Sequence, residues 1–332
     1  MNPVEQLAQY STGHWVSQMV YAFAKNAMGD AFEGQVKSSE QIANTCELEA
    51  QPTYRLLRAL APLGIVKQHE EQQDHFELTE LGSFLTSTHP MSMVDKVLLE
   101  ASYEHVLMWT HLAEYLKTGE MAPSKVFGLD NYFGLFDARP EHVDVFSKAM
   151  SCYTNDEVAM INAMPTLDFT GIEKMVDVGG AYGALLKAIL GKHTNMQGIL
   201  FDQQAVVDRV APSEQMAVQG GDFFTNVPAD CDGYFLKHIL HDWDDALCAT
   251  ILGNVVKVMK PDARIFIGEF GPVPGPNEPH LSKMFDLHMM ICLNGKERTM
   301  DQWTTLLARA GLTVKAVHQS FGPLCVIEAQ RA

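Results

Sequence analysis

Met175-Val176-Asp177-Val178-Gly179-Gly180-Ala181-Tyr182-Gly183 is the stretch of sequence that decides the fold. A short apolar run ends in an acid and in closely spaced glycines, and a second apolar run, 185–190, follows at once. This order predicts a buried strand, a tight turn and the start of a helix. Glycines in such a turn let the backbone approach a ligand, and the first N–H groups of the helix are free to bind it. A tight turn that binds nothing also fits the pattern.

Beyond residue 172, strand and helix patterns alternate along the chain. The predicted strands of this region are 174–178, 198–201, 216–218, 233–236 and 264–268. Helices fit between them, which predicts an α/β fold with a doubly wound parallel sheet and a ligand at the carboxyl ends of the strands. Two last strands, 312–317 and 324–328, are too close for a helical crossover and must pair antiparallel. Five parallel strands that end in such a hairpin fit a methyltransferase sheet better than a dinucleotide-binding sheet.

The first part of the chain has a different pattern. Residues 1–30 predict one amphipathic helix, rich enough in large apolar side chains to pack on a partner subunit. Residues 38–85 resemble a winged helix: Ser38-Ser39-Glu40-Gln41 is a capping box before a short helix. The segments 65–67 and 75–78 then form a two-stranded wing. A DNA-binding module and a structural or dimer-forming domain are both consistent with this pattern.

Composition excludes several classes of partner. The net charge of −17 repels phosphate backbones, and the helix that would read DNA carries only Arg55 and Arg58 as cations. No apolar run approaches the ~20 residues of a membrane span, and the N-terminus lacks the features of a signal peptide. Six scattered cysteines without metal-type spacing indicate reduced thiols. We therefore expect a cytoplasmic protein without a nucleic-acid partner and without a membrane.

Acids stand at the ends of the predicted strands. Asp202 ends the second strand about twenty residues after the glycine turn, where a carboxylate can accept both ribose hydroxyls of NAD or of an S-adenosyl group. Asp222 and Phe223 follow the third strand, where an acid and an aromatic ring suit an adenine. Either acid alone could be a strand-end cap. Together they favour a nucleotide-like ligand.

Leu236-Lys237-His238-Ile239-Leu240-His241-Asp242-Trp243-Asp244-Asp245 follows the fourth strand. With the winged helix, the glycine motif, Gly268-Glu269 and Asn294-Gly295-Lys296-Glu297-Arg298-Thr299, this stretch resembles the S-adenosylmethionine-dependent small-molecule O-methyltransferases of the caffeic-acid, hydroxyindole and bacterial natural-product type. The resemblance covers essentially the whole chain and implies a class I methyltransferase fold and a homodimer. The implied domains are a winged-helix dimerisation domain, a helical linker that contributes to the acceptor pocket, and a cofactor-binding catalytic domain, at 1–100, 101–165 and 166–332.

The resemblance also implies roles for individual residues. His241 matches the catalytic base, Glu269 and Glu297 the acids that flank it, and Asp242 a neighbour that contacts the substrate or the base. The residues implied to bind S-adenosyl-L-methionine, or its product S-adenosyl-L-homocysteine, are Gly179, Asp202, Asp222, Phe223 and Lys237. The candidates for the acceptor pocket, for which core packing is an open alternative, are Trp109, Met150, Asp286, Met289 and Met290. His238 matches no family role, and we expect it to be a packing residue.

The chemistry of methyl transfer agrees with these roles. The enzyme must hold a nucleophilic oxygen in line with the reacting carbon, which is mainly a task of orientation. Imidazole is a weak base for a phenol, so a carboxylate that raises its basicity and fixes its tautomer is needed. We expect no metal, because His241, Asp242, Asp244 and Asp245 follow one another too closely to converge on one ion. The family usually has a third glycine at Ala181, which should be tolerated if its φ is negative.

The sequence therefore predicts a homodimeric O-methyltransferase that acts on an aromatic hydroxyl of a small secondary metabolite, such as a phenol, a hydroxyquinone or a polyketide. An N-methyltransferase is one alternative, and a non-methylating relative such as a decarboxylase or hydroxylase is another. The presence of His241, Glu269 and Glu297 favours plain O-methylation. A winged-helix ligand-responsive regulator is the alternative from another class, and the negative charge argues against it.

Overall fold

Residues 2–332 are described by a computed structural model, and they divide into two units. The first unit runs to Leu107 and includes Phe136–Tyr153, and the second unit comprises Met108–Leu135 and Thr154–Ala332. No helix in this described part of the chain is long and apolar enough to cross a membrane. The helices are α1 (Pro3–Ser11), α2 (Gly13–Lys25), α3 (Ser39–Thr45), α4 (Ala50–Leu60), α5 (Glu80–Ser83), α6 (Val94–Glu100), α7 (Tyr103–Thr110), α8 (Leu112–Thr118), α9 (Ala122–Phe127), α10 (Leu135–Ala138), α11 (Pro140–Asn162), α12 (Ala184–Lys192), α13 (Gln204–Val207), α14 (Asp245–Val258), α15 (Ser282–Leu293) and α16 (Met300–Arg309). The strands are β1 (Lys37–Ser38), β2 (Val66–Gln68), β3 (His75–Leu78), β4 (Lys174–Val178), β5 (Gln197–Asp202), β6 (Met216–Gly220), β7 (Gly233–Lys237), β8 (Arg264–Phe270), β9 (Leu312–Gln319) and β10 (Leu324–Arg331).

The first unit holds a small antiparallel sheet in the order β1-β3-β2. The predicted capping box is present: the Ser38 side chain accepts a hydrogen bond from the Gln41 backbone at 3.1 Å, and the Gln41 side chain accepts one from the Ser38 backbone at 2.8 Å. The single N-terminal helix predicted from the sequence is wrong, because α1 and α2 are separate helices. The Thr12 hydroxyl donates back to the Ala8 carbonyl at 3.0 Å, and Gly13, a poor helix former, begins the next helix.

The second unit is built on a seven-stranded sheet in the order β6-β5-β4-β7-β8-β10-β9. The five strands from β4 to β8 run parallel, and β10 pairs antiparallel with both β8 and β9. The predicted fold class is thereby confirmed. The strand order reverses between β4 and β7, so the two chains that leave these strands open a crevice at their carboxyl ends. The glycine turn follows β4 and the segment around His241 follows β7, which brings both sequence motifs to this crevice.

The segment after α15 fixes the turn that carries His241. The fully buried Arg298 guanidinium donates to the carbonyls of Leu240 at 2.8 Å and Trp243 at 3.0 Å. The Lys296 backbone donates to the His241 carbonyl at 2.8 Å. Gly295 packs so closely here that an added Cβ would lie 2.0 Å from the same carbonyl oxygen. Only glycine therefore fits at position 295.

Replacement of Gly295 by alanine tests this close approach. Because the new methyl group must displace backbone rather than a flexible side chain, we expect Gly295→Ala to lower the free energy of unfolding by about 1–3 kcal/mol. Gly253→Ala is the matched control, since Gly253 lies on the exposed side of α14 with open space around it. The control should gain about 0.5–1 kcal/mol from the better helix former. Chemical denaturation of the three proteins measures both effects, and equal stabilities of the two variants would contradict the close approach.

Candidate active site

Four predicted cofactor residues lie at the carboxyl ends of four neighbouring strands. Gly179 follows β4, Asp202 ends β5, Asp222 follows β6 and Lys237 ends β7. Because these strands are adjacent in the sheet, the four residues line one edge of it. The predicted adenine residue Phe223 comes directly after Asp222 and packs edge-on against Phe224 and Trp243.

The glycine turn uses left-handed backbone at three positions. The φ angles are +71° at Gly179, +49° at Ala181 and +76° at Gly183. The condition under which alanine should be tolerated at position 181, a negative φ, is therefore not met. The Ala181 N–H is turned toward Asp202 and donates to its carboxylate at 2.8 Å, which accounts for the unusual backbone. An alanine in this region costs about 1 kcal/mol or more, so the hydrogen bond offsets part of a local strain.

The half-buried Asp202 and the buried Asp177 lie next to this turn. Burial raises the pKa of Asp202, although the backbone N–H groups of Ala181 and Gln203 donate to it and oppose the rise. Burial raises the pKa of Asp177 to about 7, and one of its carboxylate oxygens has no hydrogen-bond partner among the described residues. The acid within the otherwise apolar run of β4 was the only sequence signal for Asp177.

The remaining cofactor candidates differ in exposure. Asp222 is exposed, and its carboxylate accepts a hydrogen bond from the Phe224 backbone at 2.8 Å. The Lys237 ammonium donates to Glu157 of α11 at 2.7 Å, an acid that the sequence analysis did not select. Carboxylates at adjacent strand ends, a neighbouring ring and the unpaired oxygen of Asp177 form a donor and acceptor set that fits an adenosyl ligand.

His241 lies in a buried cluster of acids, 7% exposed. Its Nδ1 is 2.8 Å from a carboxylate oxygen of Glu297 and 3.4 Å from one of Glu269. Its Nε2 is 3.4 Å from Asp242. The structure thus brings together all four residues that the sequence predicted for the catalytic group.

The two acids of the cluster are held in different ways. Glu269 is fully buried in β8, and its carboxylate also accepts hydrogen bonds from the backbone N–H groups of Leu240 at 3.1 Å and His241 at 3.3 Å. Glu297 is positioned through its backbone N–H, which donates to Asp286 at 3.0 Å. Its second carboxylate oxygen has no hydrogen-bond partner among the described residues. Asp286, which was predicted to line the acceptor pocket, therefore also holds Glu297 beside His241.

The neighbouring acids affect the pKa of His241 more than its burial does. Burial alone would lower the pKa of His241, but Glu269, Glu297 and Asp242 raise it to about 10. Burial raises the pKa of Asp242 to about 6 against the opposing effect of His241. The pKa of Glu269 is lowered instead, because His241 and His238 together outweigh its burial. Within the cluster, Glu269 is therefore stabilised as a carboxylate, and His241 binds protons strongly.

His238 belongs to this cluster as well, and the expectation that it only packs is wrong. Its Nδ1 faces Glu269 at 3.2 Å, and its Nε2 faces Glu157 at 2.7 Å. Its ring stacks on that of His241 with centroids 4.9 Å apart. No local pattern could reveal this, because Glu157 lies 81 residues earlier in the chain.

A row of aromatic rings leads away from the two histidines. The Phe270 ring is 4.7 Å from that of His238 and 4.6 Å from that of Phe285, measured between centroids. His288 follows at 6.3 Å from Phe285, and Trp109 stacks nearly parallel to it at 6.1 Å. The Trp109 indole also donates to the His288 ring at 3.2 Å. Trp109 was predicted for the acceptor pocket, whereas the sequence analysis did not select His288, Phe270 or Phe285.

The methionine candidates are less tightly linked to this row. Met289 and Met290 lie on α15, the first buried and the second half-buried. The Met289 carbonyl accepts a hydrogen bond from the Gly295 backbone at 3.2 Å. Met150 is half-buried and belongs to the first unit, whereas the other four pocket candidates belong to the second.

Comparisons with known proteins agree with this architecture. A family described as the O-methyltransferase domain matches residues 109–313, and the O-methyltransferase dimerisation domain matches residues 8–88. The chain is 35% identical to phenazine O-methyltransferase PhzM of Lysobacter antibioticus, over 98% of this chain and 95% of the relative. It is 31% identical to the 8-amino-8-demethylriboflavin N,N-dimethyltransferase of Streptomyces davaonensis, over 98% and 95% of the two chains.

A solved structure with a similar fold contains the product of the cofactor. CalO1, a methyltransferase in calicheamicin biosynthesis, was solved with S-adenosyl-L-homocysteine bound. It matches this chain with a TM-score of 0.88 and 26% identity, over 100% of both chains. From the two domain matches, the relatives and the fold, the chain belongs to the O-methyltransferase family and is an enzyme that uses S-adenosyl-L-methionine.

Proposed function

We propose that the enzyme methylates an aromatic hydroxyl of a small secondary metabolite, with His241 as general base. One observation carries this proposal: Nδ1 of His241 lies 2.8 Å from Glu297 and 3.4 Å from Glu269. A proton on Nδ1 is held by these acids, which leaves the lone pair on Nε2 to accept the proton of the acceptor hydroxyl. Asp242 lies 3.4 Å from Nε2. It is placed to orient the acceptor hydroxyl or to stabilise the positive charge that develops on the His241 ring.

Each predicted cofactor residue would bind a different part of S-adenosyl-L-methionine. S-adenosyl-L-methionine, when bound, supplies an electrophilic methyl group on a positively charged sulfur. Asp202 would accept hydrogen bonds from the ribose hydroxyls, and Asp222 with Phe223 would hold the adenine. Gly179 would let the backbone approach the methionine part, and Lys237 would lie at the edge of the site. The left-handed turn and the position of all five groups at adjacent strand ends support this division.

The acceptor is a flat aromatic molecule in this proposal. The rings from His238 to Trp109 form a row of mostly edge-to-face contacts, and a phenol, a hydroxyquinone or a fused ring system could pack against the half-buried rings of this row. Met290, Met289 and Asp286 of α15 would complete the wall. Methionines adapt well to flat ligands, which favours this use of them.

N-methylation is the second candidate function, and one observation favours it: a relative 31% identical is named an N,N-dimethyltransferase. An aromatic amine is already neutral near pH 7 and needs no base before it attacks. The His241 cluster would then be dispensable for the first methyl transfer. A panel of phenols and matched anilines, read by mass, separates the two functions.

Replacement of His241 tests the base directly. We expect His241→Asn to lower turnover with a phenolic acceptor by about 10²–10⁴-fold, because the acceptor keeps its proton. Affinity for S-adenosyl-L-homocysteine, measured by calorimetry, should stay near that of the unmodified enzyme. His193→Asn is the control, since His193 lies at the C-terminal end of α12, away from the carboxyl ends of the strands. A variant at position 241 that keeps full turnover would remove the histidine from the mechanism.

Replacement of Asp202 tests the cofactor site. Asp202→Asn keeps an oxygen for the Ala181 N–H but removes the charge that would strengthen hydrogen bonds from the ribose. We expect S-adenosyl-L-homocysteine to bind roughly 10- to 100-fold more weakly. The exposed Asp208 accepts only from Gln204 nearby, so Asp208→Asn should bind normally. Equal affinity of both variants in calorimetry would place the ribose elsewhere.

We propose further that the enzyme works as a cytoplasmic homodimer that uses its N-terminal helices as the interface. The match to the dimerisation domain supports a dimer. Large apolar side chains of this region are exposed in the single chain: Val4 by 77%, Leu7 and Tyr10 by 67%, and Trp15 by 61%. None of the α1 residues is buried, so this helix lacks an apolar surface of its own chain to pack on. A second copy would cover it.

Charged substitutions on these helices test the interface. We expect Leu7→Glu combined with Trp15→Glu to halve the mass seen in light scattering, because two charges would be buried between the subunits. Leu116→Glu is the matched control, since Leu116 is 72% exposed on α8, outside the dimerisation match. The control should keep the mass of the unmodified enzyme. A monomeric mass for the unmodified enzyme itself would exclude the dimer.

A further inference from the structure

His238 is the one member of the buried cluster that the proposed mechanism does not use. It directly follows β7, with a left-handed φ of +53°, and its side chain is 17% exposed. The ring lies between two buried carboxylates, with Nε2 2.7 Å from Glu157 and Nδ1 3.2 Å from Glu269. A neutral imidazole donates from only one of its nitrogens. Both carboxylates receive a hydrogen bond only when the ring is an imidazolium.

The charges around this ring favour the same protonation state. Burial would lower the pKa of His238, but Glu157 and Glu269 outweigh it and the neighbouring Lys237, and the pKa is raised. Glu157 stays ionised, because His238 and Lys237 overcome its own burial and lower its pKa to about 2. The hydrogen-bond geometry and the surrounding charges thus both favour a protonated, positively charged His238.

That charge lies beside the proposed base. The rings of His238 and His241 stack at 4.9 Å with an angle of 25° between their planes, and both face Glu269. Two imidazolium rings at this distance repel each other. Since a base needs a free lone pair, a second histidine that is already positive favours the neutral form of the first. Without it, Glu269, Glu297 and Asp242 would act on His241 alone and hold its proton more firmly.

Resting on the proposed role of His241, we infer that His238 is a positioning residue, kept as an imidazolium between Glu157 and Glu269, which weakens the hold of His241 on its proton and so favours its proton-accepting form. Glu157 acts through His238 as its counter-ion. The charged groups that act on His238 are Glu157 from α11, Glu269 from β8, Lys237 at the end of β7, Glu297 from the segment after α15, and His241 with Asp242 from the following turn. The pair therefore sets the pH range in which the base works.

The first experiment is a pH titration of the histidine ring nitrogens by ¹⁵N NMR in the enzyme without ligands. Signals are assigned by their loss in His238→Asn and His241→Asn. Asparagine suits the left-handed backbone at 238 and keeps a hydrogen-bonding side chain without the charge. We expect both nitrogens of His238 to carry protons near pH 7. In His238→Asn, the midpoint for His241 should rise by about 1–2 pH units.

The second experiment compares pH profiles of kcat. A higher midpoint for His241 means that activity appears only at higher pH, so the acid limb of His238→Asn should move upward by a similar amount. His238→Arg is the matched variant, because a guanidinium keeps the positive charge and can donate to both acids. Its acid limb should return toward that of the unmodified enzyme. Glu157→Gln should give a neutral His238 in the NMR spectrum.

Two results would overturn the inference. One is a neutral His238 near pH 7 in the unmodified enzyme, and the other is an unchanged His241 midpoint in His238→Asn. If His238→Asn does not fold, Glu157→Gln with its NMR titration decides in its place, and a still-cationic His238 there would count against the pair. The titrations require no turnover. Full activity of His241→Asn beside the expected titrations would therefore defeat the proposed base and leave the electrostatic coupling in place.

Discussion

The buried carboxylate of Glu269 is the constraint on which the rest of the active site depends. It is fully buried at the end of β8, where an ion is unfavourable unless donors surround it. It obtains these donors from two backbone N–H groups of the turn after β7 and from the rings of His238 and His241. The turn and both histidines are therefore held in place because each contributes to the stabilisation of one charge.

The sheet determines where such a charge can be placed. Parallel strands end on one edge, and the reversal of strand order between β4 and β7 opens a crevice there. The residues predicted to bind the cofactor lie at the ends of β4 to β7, and His241 lies in the turn after β7. The antiparallel β10 covers the other side of β8, with Cys325 paired to Glu269, which keeps this acid away from water. The predicted cofactor residues and the His241 cluster thus lie along the same edge of the sheet.

The strands could be predicted from sequence because they depend on local patterns: apolar runs between turns marked β4 to β8. His241, Glu269 and Glu297 were selected together from the resemblance to a family, and the structure places their side chains in contact. Glu157 could not be predicted, because its contact with His238 depends on the register of a long helix against the sheet. The left-handed Ala181 also defied prediction, since its φ follows from a hydrogen bond to Asp202, twenty-one residues further on.

The segment from Asn294 to Arg298 links α15 to the turn around His241. The backbone N–H groups of Gly295 and Glu297 donate to the Met289 carbonyl and the Asp286 carboxylate of α15. The Lys296 backbone and the Arg298 side chain donate to carbonyls of the turn around His241. A mutation that removes the Asp286 carboxylate would therefore also disturb the position of Glu297, whereas the link to Met289 is made by its backbone carbonyl and does not depend on its side chain. During evolution, a descendant of this enzyme could therefore change α15 more easily at its methionines than at Asp286. Substitutions on α15 should thus be tolerated where the side chain makes no hydrogen bond to the 294–298 segment, and not at Asp286.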